Sequence, residues 1–428
     1  MNQEMPDRKV FFRISSFQIL AMFRRGLFYS YLSIYLRFFL GLSVTETTFF
    51  ATFPMILNVV FQTFVWGGVS DRYQKRRTLI IVGEITAAIT TVLVWFLHTL
   101  PASRYAAGYV IIIGLSVAEI FWSMSNVAWS ALISDLYAAL ERTAVQGRLA
   151  SIGALGRIAG VWIGGLAYDG LARYYEGWGF HRGLLFFIAS GVMLISTIPM
   201  FFVPEGGVGS KQITPTAPKT PRIHTLSHRF LLFLIAMVLI NFGRNCVAVT
   251  KTQYLVLDGG FDVSSNLLSY IVNMQSLAAV IAGYVIARVS KRIDDGMLIT
   301  LGSGLACLNL LGFALARSLG VIFGSNFLAG ASDVVIFTSS YTYASKLIPA
   351  AHRGKQFALF NATLFLSWGV GATLVAGPIV DSLIARGKTQ VFAYRMSFLA
   401  ALAMVIAGMI VFAACERCKD TPESSPTS

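Results

Sequence analysis

Residues 67–77 read Gly67-Gly68-Val69-Ser70-Asp71-Arg72-Tyr73-Gln74-Lys75-Arg76-Arg77. The stretch separates two apolar blocks, 47–68 and 78–98. Each block has about the ~20 residues a helix needs to cross a ~30 Å hydrocarbon core. Gly67 lets two such helices approach closely. Asp71 suits a neighbouring helix N-terminus, where the dipole favours negative charge. Lys75 is placed to pair with an acid at the end of the fourth apolar block, for which Asp135 is the candidate. A turn this rich in Lys and Arg marks the cytoplasmic side of a membrane helix pair.

The rest of the chain repeats the pattern. Of 428 residues, 56% are hydrophobic and 13% charged; soluble chains carry roughly 45–50% and 25%. This composition excludes an ordinary soluble enzyme, and with it disordered, collagen-like and disulfide-rich classes. Twelve apolar segments are legible, at 16–39, 47–68, 78–98, 106–131, 147–171, 183–203, 230–256, 267–289, 297–316, 318–345, 356–384 and 391–414. No run of ~10-residue alternating segments, the mark of a membrane barrel, appears. The expected fold is therefore all-α and membrane-embedded, with twelve transmembrane helices. The polar stretch 204–228, rich in Pro, Thr, Gly and Lys, reads as a linker. The resulting division is a segment 1–15, a six-helix bundle 16–203, the linker 204–228, a second six-helix bundle 229–414 and a tail 415–428.

The net charge of +14 follows from topology. Of 34 Lys and Arg, 21 fall on the side shared by the termini and the linker, 8 on the other, and 5 inside helices. This asymmetry places both termini and the linker in the cytoplasm and accounts for the charge without nucleic acid. The first apolar block is too long for a cleavable signal peptide. Four cysteines, two of them in a lone Cys415-x-x-Cys418, form neither a disulfide framework nor a zinc set.

The two bundles are related by an internal repeat. An offset of 219 places Phe23 on Phe242, Arg25 on Arg244, Tyr35 on Tyr254 and Gly41 on Gly260; 216 places Gly67 on Gly283; 215 places Asn58 on Asn273; and 214 places Glu119 on Asp333. The order of these matches is preserved along the chain. Two related halves give a pseudo-twofold axis along the membrane normal, with a binding site at the midplane.

Residues 67–77 resemble the signature loop of the major facilitator superfamily, G-x-L-A-D-R-x-G-R-K/R-R, with Gln74 in place of the second glycine. The resemblance extends over nearly the whole chain through the twelve segments and the linker after the sixth. It implies that Gly67, Asp71, Arg72, Lys75 and Asp135 form a gating network on the cytoplasmic side. It also implies that helices 1, 4, 7 and 10 line a central cavity. Gly156, Gly160, Gly164 and Gly165 resemble the family's antiporter glycine motif, although Val161 stands at its proline; helix packing alone also explains such a stripe. Length, layout and the opening segment resemble a magnetosome-membrane branch implicated in iron handling.

Ionisable residues at membrane depth are costly, by about 2.5–3.5 kcal/mol each on insertion scales, and mark functional sites. Arg25 and Arg244 are repeat-related, as are Glu119 and Asp333. Facing a common wet space, two guanidinium forks would grip a carboxylate or phosphate bidentately. Asn245 and Lys251 join them as candidate binding residues. The acids would carry protons, hold the arginines or meet a cationic group. Structural ion pairs within each half are the alternative. Glu84 is read as the partner of a loop arginine. Tyr29, Trp122, Tyr254 and Tyr341 either line the pocket or pack. Gly387-Lys388-Thr389 lacks the spacing of a nucleotide-binding loop, and no nucleophile–base or metal constellation is visible. The expected protein is no enzyme and carries no cofactor, nucleotide or resident metal. It moves a small polar anion across a bacterial inner membrane or an organelle derived from it, driven by an ion gradient with H+ as the candidate coupling ion, by exchange or by the anion's own gradient. Iron or an anionic iron chelate is the alternative cargo, and a non-transporting scaffold or receptor the alternative of another class.

Overall fold

The structure, a computed structural model, describes residues 8–137, 139–207, 227–290, 292–348 and 353–417. All twelve expected segments are helical, and no strand occurs among the described residues. In order they are α1 (Arg8–Ile34), α2 (Val44–Phe61) with α3 (Gly67–Tyr73), α4 (Arg76–His98), α5 (Arg104–Leu136), α6 (Ala139–Tyr168) and, after the single turn α7 (Trp178–His181), α8 (Leu184–Met200). The second set is α9 (His228–Asn245) with α10 (Ala248–Leu255), α11 (Ser265–Val289), α12 (Asp295–Leu315), α13 (Leu319–Leu347), α14 (Arg353–Gly371) with α15 (Gly377–Ala385), and α16 (Gln390–Arg417). Ten of these helical runs are long and apolar enough to cross a membrane. The other two segments are α1, whose 27 residues include five cations, and α8, with 17 residues.

Three boundaries differ from the sequence reading. α1 begins at Arg8, so residues 8–15 of the expected polar segment are helix. The signature stretch is helical through Tyr73 and turns at Gln74, whose φ of 56° is left-handed; glycine adopts that conformation without steric cost. Segment 7 is interrupted at Cys246–Val247, which makes Arg244 a last-turn residue of α9. Residues 208–226 of the linker and Cys418 lie outside the described residues.

By contact density the chain forms two units, Met1–Pro215 with Val249–Val280, and Thr216–Ala248 with Ile281–Ser428. The first therefore takes in α10 and the start of α11 besides the first six segments. The repeat is visible in which helices pair. α1 packs on α6 and α8, as α9 packs on α14 and α16; α4 packs on α5 and α8, as α12 packs on α13 and α16.

In the first unit the glycines of α6 press against the backbone of α1. A Cβ at Gly156 would lie 2.2 Å from the Ile19 carbonyl oxygen, and one at Gly160 1.9 Å from that of Phe23. The antiporter-like stripe is thus a backbone-to-backbone seam, the packing use of small residues. α10 and α11 join this unit through hydrogen bonds of neutral donors. Gln253 donates to the Thr47 hydroxyl (2.9 Å) and the Ser33 carbonyl (3.3 Å), Asn273 donates to the Ile158 carbonyl (3.1 Å), and Ser265 donates to Asp169 (2.7 Å). Ser33 and Thr252, equated by the 219 offset, meet hydroxyl to hydroxyl at 3.0 Å.

In the second unit two i, i+4 pairs form a polar ladder between α9 and α14: Asn241 donates to Thr363 (3.2 Å) and Asn245 to Ser367 (2.7 Å). An aromatic core around Phe233, Tyr343, Phe360 and Phe412 fills the space beside it.

Candidate functional site

Three polar constellations stand out: one at the α3–α4 turn, one in each unit at membrane depth.

At the turn, Arg76 takes the place expected of Lys75. Arg76 is buried while Lys75 is exposed. Its guanidinium donates to the Ser70 carbonyl and hydroxyl, to Asp71 (3.3 Å) and to Asp135 (3.3 Å). Asp135 also accepts from the Gly207 amide (2.9 Å). Asp71 caps no helix; its carboxylate is exposed, with Arg76 at its side. Arg72 is exposed, its guanidinium 5.8 Å from the Tyr73 ring centroid. The beginning of the linker folds onto this knot, since Glu205 pairs with Arg77 (2.9 Å) and accepts from Thr78 (2.9 and 3.0 Å). Residues 204–207 are therefore held, contrary to a uniformly flexible linker. Arg76→Gln is expected to lower stability by about 1.5–3 kcal/mol, the range for hydrogen bonds to charged groups, and Lys75→Gln by less than about 0.5 kcal/mol. Thermal unfolding of the two purified variants compares them directly.

At membrane depth in the first unit, α1 brings Arg24 and Arg25 against Trp122 of α5. The guanidinium carbons lie 3.5 and 4.7 Å from the indole ring centroid. Arg24 is buried and Arg25 exposed. Arg24 donates Nη1 to the Met193 sulfur (3.0 Å), while its Nε and Nη2 have no hydrogen-bond partner among the described residues. Glu84 does not meet a loop arginine. It is buried within the unit and accepts from the Trp122 indole N–H and the Ser125 hydroxyl, both at 2.9 Å. Glu119, half-buried, accepts from Asn58, which in turn accepts from Gln62 (2.6 Å). No Arg25–Glu119 ion pair forms among the described residues. The helices place two cations and two carboxylates in one low-dielectric cluster, where charge interactions exceed those in water.

In the second unit Arg244 forms an ion pair with Asp333 and donates Nε to Asn241 (3.0 Å). Its place in the last turn of α9 adds the favourable interaction of a cation with a helix C-terminus. Asn245 is buried and its amide donates to the Ser367 hydroxyl, which makes it part of the α9–α14 ladder. Lys251, half-buried, lies on α10 in the first unit. Asn58 and Asn273, although repeat-related, have unlike partners: Glu119 and a backbone carbonyl.

Outside the membrane spans, burial together with Asp262, Asp169 and Asp258 raises the Glu176 carboxyl above the usual carboxylate range. Burial, Arg182 and Arg104 lower His181. Among the described residues no group of three or more His, Cys, Asp or Glu could hold a metal ion.

Sequence reasoning singled out Arg25, Glu119, Arg244 and Asp333, and each lies in one of these clusters. It missed Trp122 as the platform of Arg24 and Arg25, Glu84 as the partner of Trp122 and Arg76 as the knot. A signal for Arg76 existed in the signature stretch, but four cations within six residues left the choice among them open.

Comparisons with known proteins place this geometry. The family model described as Major Facilitator Superfamily matches residues 14–372. Sequence comparison with curated proteins finds no match. Among solved structures, the nucleoside transporter NupG is similar with a TM-score of 0.71 and 14% identity, over 96% of this chain and 100% of that one. A bacterial homologue of the human lysosomal transporter Spinster, inward-facing and unoccupied, gives 0.71 and 13%, over 95% and 96%. A bacterial homologue of the iron transporter ferroportin, inward-facing, gives 0.69 and 12%, over 96% and 99%. At these identities the likeness concerns the fold alone.

Proposed function

The chain belongs to the major facilitator superfamily, and from that premise we propose that it is a secondary transporter of a small anionic solute, carried by alternating access. The observation that supports an anion is the pair of repeat-related arginines at membrane depth, Arg25 on α1 and Arg244 on α9. A guanidinium offers a planar fork of donors matched to carboxylate and phosphate oxygens. Glu119 and Asp333 are the protonatable partners that couple movement to a proton gradient. The Arg76–Asp71–Asp135 knot is the cytoplasmic gate, with Gly67 at the start of α3. The loop charges support cytoplasmic termini in a bacterial inner membrane or a membrane derived from it. A metal cargo carried as an anionic chelate falls within the same reading, since its ligands present oxyanions to the arginines.

The test is a thermal-shift screen of the purified full-length protein against inorganic phosphate, organophosphates, carboxylates and iron chelates, with nucleosides and simple cations as controls. Ligands that bind only the folded form stabilise it by about 2.7 kcal/mol at 100 times Kd. Stabilisation by oxyanions is the expected result. Stabilisation confined to neutral or cationic solutes would refute the anion reading.

A further inference from the structure

The two repeat-related arginines are held in physically different ways. Arg244 has two of its three guanidinium nitrogens engaged, Nη1 by Asp333 and Nε by Asn241. Arg25 has none of its N–H groups in a hydrogen bond or ion pair among the described residues. Its guanidinium lies instead over the indole of Trp122, 4.7 Å from the ring centroid. A cation–π contact of this kind uses the charge of the guanidinium and none of its hydrogen bonds, so the five N–H donors stay available to a ligand. An ion pair with Glu119 would have occupied those donors, and Glu119 accepts from Asn58 instead.

Trp122 is itself held on every side. It is 6% exposed. Its indole N–H donates to Glu84 on α4 at 2.9 Å, and Ser125, one turn along α5, donates to the same Glu84 oxygen at 2.9 Å. The Arg24 guanidinium stacks on the ring at 3.5 Å. A carboxylate at the N–H edge of the indole enriches the ring face in electron density, which strengthens its attraction for both cations. The ring is thereby fixed between three helices, and the flexible Arg25 side chain, which carries about 2 kcal/mol of rotamer entropy, is fixed on the ring.

We propose that Trp122 is the positioning residue of the transport site: held by Glu84 and Arg24, it presents the Arg25 fork pre-oriented and with free donors to an oxyanion. Arg25 is then the primary anion contact of the first unit. The inference rests on the anion reading of Arg25 above and adds the element that organises it.

Binding of inorganic phosphate, and of acetate if phosphate does not bind, is measured by calorimetry on the full-length protein. The variants are Trp122→Leu, Trp122→Phe, Arg25→Lys and the double variant Trp122→Leu with Arg25→Lys. Trp122→Leu should weaken binding about tenfold, and Trp122→Phe, which keeps a ring face, should restore most of it. In the Arg25→Lys background the leucine substitution should cost less than about twofold, because residues that act through one another are not additive. Equal loss with Phe and Leu, or full additivity with Arg25→Lys, would overturn the proposal while leaving the anion reading intact. Failure of the wild-type protein to bind either probe would remove the anion reading and this proposal with it. Should the leucine variant not fold, Trp122 emission, taken as the difference between wild type and Trp122→Phe, carries the test. Anion binding should shift it in the wild type and not in Arg25→Lys, and binding without a shift would again overturn the proposal.

Discussion

Valine at position 160 is expected to leave almost no folded protein in the membrane. A Cβ on Gly160 would sit 1.9 Å from the Phe23 carbonyl oxygen and 2.7 Å from its carbon. These are backbone atoms, so no rotamer change relieves the clash. Gly156 one turn before meets the Ile19 oxygen at 2.2 Å, and Gly164 one turn after meets that of Leu27 at 2.6 Å. Separating the helices at one of these points lifts α1 from α6 along several turns. Overpacking of side chains typically costs 1–3 kcal/mol; here backbone must move, and the expected loss is above about 3 kcal/mol. Gly191, whose Cβ would meet nothing within 4 Å, supplies the control: Gly191→Val should leave yield and melting temperature unchanged. Recovery of monodisperse protein from detergent extracts separates the two variants. Equal recovery of both would show that the seam is looser than its geometry implies.

Breaking the Arg244–Asp333 pair is expected to have the next largest effect. Asp333→Asn leaves a guanidinium that is 7% exposed without its carboxylate partner. Removing one member of a buried pair costs about 3–5 kcal/mol; Asp333 is 30% exposed, which places the expected loss at the lower end, about 3 kcal/mol. Exchanging the charges, with Arg244→Asp and Asp333→Arg together, should recover only part of that stability. The exchange puts an acid in the last turn of α9, where the helix dipole disfavours it. Transport should not return, because an anion would meet a carboxylate where the arginine stood. Melting temperature and flux into proteoliposomes, measured on the same preparations, report the two effects separately. Full transport by the exchanged protein would remove Arg244 from the anion path.

Much of this architecture is legible along the chain, and the failures share a cause. The twelve segments and the repeat follow from apolar length and residue order, which any helix expresses alike. The glycine stripe at 156, 160 and 164 is legible because spacing four puts small residues on one helix face. By contrast, Lys75 precedes α4 with a non-helical backbone and Arg76 opens the helix, and the start of α4 decides which of them turns inward. The interruption at Cys246–Val247 comes three residues after Gly243, yet α9 continues through that glycine to Asn245, so the glycine does not mark the break. Glu84 looked like a partner for a loop cation because its distance along α4 from the turn is known from the sequence, whereas the helix beside it is not.

Arg25 and Arg244 mark the boundary between the two kinds of knowledge. That each half carries a repeat-related arginine and a repeat-related acid at membrane depth is a property of the residue string, since it depends only on order, repeat offset and the length of apolar runs. That one arginine lies over an indole without a hydrogen bond or ion pair among the described residues, and the other is paired with a carboxylate, is a property of the packed protein. Such differences arise only when helices distant in sequence bring Trp122 or Asp333 within a few ångströms, because stacking and ion pairing act at short range and depend on direction.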